Sequence, residues 1–222
     1  MAETTAPSAM SHAEEESVFY HEAALNASWT GVRLALGGMS FLFGAFVFAF
    51  FYLKSLNSHG LWYPSGQFAT IPKAWYGATI TLLVVVSALV QTAALQVIKR
   101  GNKAAWQRGA VVALVLGLAA VAFSILQLLY LPFWPGQSGF ASVFVGYWPV
   151  YLLIALCSMV WLEMLIMRAR GIPQISFVEQ PPTYADAFAV QRFQASLSAF
   201  TLAWNYLAVM AVIGWILFYL VH

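Results

Sequence analysis

Residues Trp75–Tyr130 read WYGATITLLVVVSALVQTAALQVIKRGNKAAWQRGAVVALVLGLAAVAFSILQLLY. Two apolar runs, Gly77–Ile98 and Gly109–Leu131, are each about 22 residues long. They flank a short loop carrying Lys99, Arg100, Lys103 and Arg108, with no acid among them. A helix that crosses the hydrocarbon core of a bilayer needs roughly 20 apolar residues. So short a hydrated connection makes the two spans antiparallel neighbours. Short loops rich in Lys and Arg stay in the cytoplasm. The stretch therefore predicts a transmembrane hairpin with a cytoplasmic turn, from which the rest of the chain is oriented.

The composition agrees. Of 222 residues, 62% are hydrophobic and 8% charged, against roughly 25% charged in soluble domains. Upstream, Met1–Asn26 is rich in Ala, Ser, Thr and Glu and holds the acidic run Glu14, Glu15 and Glu16. Residues 1–28 read as a solvated, mobile tail, with His12 and His21 as surface histidines. The N-terminus lacks the basic start and short apolar core of a signal peptide. A first span covers about 31–53, with Trp29 and Tyr52 as interfacial anchors and Arg33 near its cytoplasmic end. The remaining spans cover about 77–98, 109–131, 140–167 and 195–220. Between them lie a turn-rich loop (Gly60, Pro64, Gly66, Pro72), an uncharged loop (Pro132, Pro135, Gly136, Gly139) and a polar connection with Pro173, Glu179, Pro181, Pro182 and Asp186. Tyr184–Gln194 reads as a short amphipathic lead-in. Pro149 marks either a kink or the true start of the fourth helix. The fold class is all-α: a polytopic membrane protein whose membrane domain, 29–222, holds five transmembrane helices.

One side of the membrane collects Lys99, Arg100, Lys103, Arg108, Arg168, Arg170 and Arg192, and the other only Lys54 and Lys73. That bias places the N-terminus in the cytoplasm and the C-terminus outside.

Several residues stand out as candidates. Gly37, Gly38 and Gly44 would let the first span approach another helix closely. Gln91, Gln96 and Gln127 must find partners between helices or reach the headgroups. Trp204 and Asn205 stand on the last span. Phe41, Phe46, Phe50 and Trp75 are candidates for covering acyl chains. Arg33, Lys99, Arg100 and Arg108 form a basic rim that attracts anionic headgroups. Glu163, the one acid within a span, sits near Arg168 and Arg170 and reads as interfacial or ion-paired. Cys157 reads as a small buried hydrophobe. No span contains a histidine, so a bis-histidine haem site or a histidine-built copper site within the chain is excluded. Neither a phosphate-binding glycine loop nor a nucleophile beside a base is present. Nothing points to nucleic acid. The residues describe a helical membrane subunit that packs against partners, with no metal and no catalytic residue of its own.

A resemblance adds to this. Gly37-Gly38-Met39-Ser40-Phe41-Leu42-Phe43-Gly44-Ala45-Phe46 with Phe50-Phe51-Tyr52 resembles the aromatic-rich signature helix of cytochrome c oxidase subunit III. Ser87-Ala88, Gly101-Asn102, Leu116-Gly117 and Gln127, and then Trp204-Asn205-Tyr206 through Trp215, resemble later parts of the same family in order. The likeness spans about Trp29 to Leu220 and matches the short, five-helix bacterial form. It departs where the family has a glutamate and this chain has Met39, and where it has His and Asp and this chain has Asn205 and Ala208. The resemblance implies a non-catalytic subunit of a haem–copper terminal oxidase in a bacterial plasma membrane, acting in aerobic respiratory electron transfer. Haem and copper would reside in the large subunit I, with subunit II and other respiratory subunits nearby. It also implies a V of two arms, spans one and two against spans three to five, holding bound phospholipid. The alternatives are a subunit-III-like partner of nitric oxide reductase, a small transporter and a scaffold protein.

Overall fold

The turn at the centre of the quoted stretch closes in three residues, Arg100, Gly101 and Asn102. In the computed structural model, which describes residues 12–56, 62–63, 72–172 and 184–221, helix α2 (Ala74–Lys99) ends at Arg100. Gly101 follows with φ +85°, a left-handed conformation that favours glycine. Its N–H donates to Ile98 O (2.8 Å) and that of Asn102 donates to Val97 O (3.3 Å), the paired bonds of a Schellman cap. Asn102 then caps α3 (Lys103–Leu129), its Oδ1 accepting from Ala105 N at 2.9 Å. One glycine and one asparagine thus stop one span and start the next.

Helix α1 runs unbroken from His12 to Ser55, α4 from Gly139 to Gly171 and α5 from Tyr184 to Trp215. Ser138 starts α4, its Oγ accepting from Ala141 N at 3.0 Å. Pro149 lies inside α4 and does not mark its start. The expected lead-in from Tyr184 is continuous with α5, and α1 begins well before the expected Gly31. Five helices are long and apolar enough to cross a membrane, and they pack together. The chain is an all-α, polytopic membrane protein. The expected tail at 1–11, Gly60, Pro64, Gly66, Pro173, Glu179, Pro181, Pro182 and His222 lie outside the described residues.

The packing differs from the expected pair of arms. Helix α2 lies against α3 and α5, whereas α1 makes its main contacts with α4 and α5. Spans one and two therefore do not form an arm. The hub is α5, which reaches α3 as well through the edge-to-face pair Phe193–Trp106. Half of its most apolar segment is buried within the chain, against 11% for α1. The physical reason is the placing of small residues. A Cβ on Gly117 of α3 would meet Met159 and Trp204, and one on Gly214 of α5 would lie 2.6 Å from the Tyr147 ring. These are the sites where α3, α4 and α5 approach closely.

Beyond Trp215 the last helix widens into one π-helical turn, Ile216–Leu220, closed by Val221 N donating to Ile216 O at 2.9 Å. The wider turn buries three successive side chains, Leu217, Phe218 and Tyr219.

Candidate functional site

Two buried clusters and two open surfaces are candidates for function. The first cluster is polar and lies midway along the helices. Ser87 and Gln91 are one turn apart on α2 and share a face, as do Thr201 and Asn205 on α5. Their spacing brings the two rows together. Trp204 Nε1 donates to Ser87 Oγ (3.0 Å), which donates to Ala113 O (2.7 Å) and so joins α5, α2 and α3. Gln91 Nε2 donates to Thr201 Oγ1 at 3.4 Å. Asn205 Nδ2 donates to Thr92 Oγ1 at 3.0 Å. On the other flank of α5 the hydroxyls of Tyr206 and Ser40 meet at 3.0 Å, linking α1. Ser87, Gln91 and Trp204 are each 0% exposed. In a layer so closed to bulk solvent every polar group needs a partner, which fixes the register of the helices.

The second cluster is aromatic and lies toward the end of the bundle where α1 finishes. Phe218 packs edge-to-face against Phe50, Phe140, Phe144 and Tyr147, at centroid distances of 5.2–5.9 Å. Phe43 lies 5.1 Å from Tyr147. Hydroxyls leave this cluster only to meet carbonyls or amides: Tyr147 donates to Met210 O (2.5 Å), Tyr151 donates to Leu207 O (3.2 Å), and Tyr219 pairs with Gln127. Offset and edge-on rings hold area and orientation together.

The open surfaces are the outward side of α1 and the charged rim. Gly37, Gly38 and Gly44 have nothing within 4 Å of a would-be Cβ. Among the described residues the close approach expected of them does not occur; Gly117, Gly146 and Gly214 serve that purpose instead. Phe41 is 84% exposed on the same side. Phe46 is half-buried against Gly146 and Tyr147. Phe50 is 0% exposed and cannot line a lipid surface; its ring is closed in by Trp62, Phe218 and Phe51. Trp75 is half-exposed and stacks on Tyr76 at 3.8 Å. Arg33 is exposed and lies 5.6 Å from the Trp29 ring centre. Lys99, Arg100 and Arg108 are exposed, as are Arg168 and Arg170. Lys103 is turned inward, its ammonium donating to the Ile172 carbonyl just past α4. Lys54 does the same at the opposite end, reaching Val221 O at 2.5 Å.

One further expectation changes, and of the two alternatives for Glu163 the ion pair is not seen. Cys157 is exposed, because it shares the outward face of α4 with Leu153, Val160 and Met164. Glu163 is exposed and, among the described residues, has no basic partner. Arg168 and Arg170 stand five and seven positions on, off the three- and four-residue spacing that brings helical side chains together.

Thr201, Tyr206 and Ser40 were not marked by sequence as polar contacts. The legible signal was the four-residue spacing of Thr201 and Asn205, matching that of Ser87 and Gln91. Among the described residues no three His, Cys, Asp or Glu side chains come together as a metal site. No protein-family model matches the chain, and no curated protein matches it.

Proposed function

We propose that the chain is an accessory subunit of a larger membrane complex, of the kind found as subunit III of haem–copper terminal oxidases. One observation carries the reading: the apolar part of the 44-residue α1, Asn26–Ser55, has only 11% of its most apolar segment buried in its own chain. Its unoccupied side combines Gly37, Gly38 and Gly44 with Phe41 and Phe48, the mixture of small and bulky residues on which another transmembrane helix or acyl chains pack. The resemblance of Gly37–Tyr52 and Trp204–Trp215 to that family supplies the kind of complex. The large subunit would carry haem and copper and reduce oxygen. This chain would flank it, hold phospholipid against the basic rim at Lys99, Arg100 and Arg108, and prolong its working life.

Deletion of the chain tests the proposal. Membranes lacking it are expected to retain the haem absorbance of the oxidase and its initial oxygen uptake, while activity decays sooner during sustained turnover. Unchanged turnover stability contradicts the role, and loss of the haems contradicts a peripheral one.

A further inference from the structure

Gln91 is 0% exposed, and among the described residues its carbonyl oxygen Oε1 has no donor. Its amide nitrogen is held loosely, 3.4 Å from Thr201 Oγ1. The hydroxyl protons nearby are committed elsewhere. Thr201 donates to Leu197 O at 2.9 Å, Ser87 to Ala113 O at 2.7 Å and Thr92 to Ala88 O at 2.8 Å. Turning the amide over does not help: Oε1 would then face Thr201 Oγ1, whose proton is already given to Leu197, and the NH2 would lose its acceptor. A buried amide oxygen with no donor bears the whole cost of its desolvation. No described residue supplies the missing donor.

Its second partner is close by. Ser87 lies one turn before Gln91 on the same face of α2. Its oxygen accepts one bond from Trp204 and keeps a further lone pair. The buried neighbours along this stretch of α2 and α3 include the small Ala88, Ala94, Ala110 and Ala113 beside the larger Val84, Leu95 and Trp106. Ser87, Gln91 and Trp204 are all 0% exposed, so this place is closed to bulk solvent.

We infer that one buried water is bound between α2 and α5 in the mid-depth polar layer. It donates one proton to Gln91 Oε1 and the other to the oxygen of Ser87 or Thr201. Water satisfies this geometry because it brings two donors to two acceptors, the two-to-four polar partners that buried waters have. The layer is then a hydrogen-bonded unit of protein and water that ties α2 to α5.

A structure of the full chain, alone or in its complex, at a resolution that orders waters tests this directly. The expected result is a density peak within hydrogen-bond distance of Gln91 Oε1 and of Ser87 Oγ or Thr201 Oγ1. The peak is lost in Gln91→Met and kept in Thr92→Val, which alters the neighbouring pair but neither acceptor. Should Gln91→Met fail to fold, infrared spectra of the wild-type chain in ordinary and 18O-labelled water decide. An isotope-shifted O–H band from a slowly exchanging internal water is expected. No peak beside Gln91 Oε1, a peptide donor found there instead, or no such band overturns the inference.

Discussion

Gly117 and Gly38 both lie in apolar helices, yet one is closed in and the other open. A side chain at 117 meets Met159 and Trp204, while one at 38 meets nothing in the chain. Gly117→Leu is therefore expected to destabilise the purified chain by about 1–3 kcal/mol, the usual cost of overfilling a packed site. Gly38→Ala is expected to leave that stability unchanged and to weaken association with a partner. Thermal unfolding in detergent, read for both variants, checks the first pair of outcomes. At the polar layer, a double-mutant cycle of Thr92→Val and Asn205→Leu is expected to give a coupling of about 0.6 kcal/mol, the average for hydrogen bonds between membrane helices. A coupling of zero would mean the pair seen at 3.0 Å adds nothing. Sequence showed that Gln91, Gln96 and Gln127 needed partners or the headgroups, because unpaired polar groups are costly in lipid; Gln91 and Gln127 are buried and Gln96 is exposed. It did not show which face any residue occupied. Phe50 and Phe41 belong to one aromatic run, yet one is 0% and the other 84% exposed. Helices that are apolar all round carry no stripe by which the inner face is recognised.

The helices themselves were legible because bilayer thickness dictates their length. The spans from Gly77 to Leu131 correspond to α2 and α3, but α3 starts at Lys103 rather than Gly109, so Lys103 and Arg108 lie on the helix and the turn closes on Gly101 and Asn102. What sequence did not disclose was which helices neighbour one another. The arm expected from spans one and two fails because α1 finds its complementary surface on α4 and α5, where Gly146 admits Phe46 and Tyr206 meets Ser40. The π-helical turn was equally hidden, since Ile216–Leu220 is as apolar as the residues before it. Orientation is a property of these elements that labelling can read. Arg100 is exposed in the basic turn, so Arg100→Cys is expected to react with an impermeant thiol reagent only after cells are opened. A cysteine replacing the exposed Lys73 is expected to react in intact cells, once the native Cys157, itself exposed, has been replaced by Ser. Reaction of position 100 in intact cells reverses the topology.

At the scale of the whole molecule the five helices form a bundle organised around α5, with α1 attached along one face and open along the rest. The aromatic cluster and the polar layer brace the interior, and neither offers a metal site among the described residues. In the proposed role the molecule would act through its surfaces: the open side of α1 toward another helix or lipid, and the exposed Lys99, Arg100 and Arg108 toward anionic headgroups. Native mass spectrometry of the assembly released gently from its own membrane, with this chain tagged, tests that account most directly. The expected spectrum contains this chain in fixed ratio with a haem-bearing subunit, together with phospholipid that departs when the chain is removed. A spectrum showing the chain only alone or with copies of itself, free of any haem-bearing partner, would contradict it.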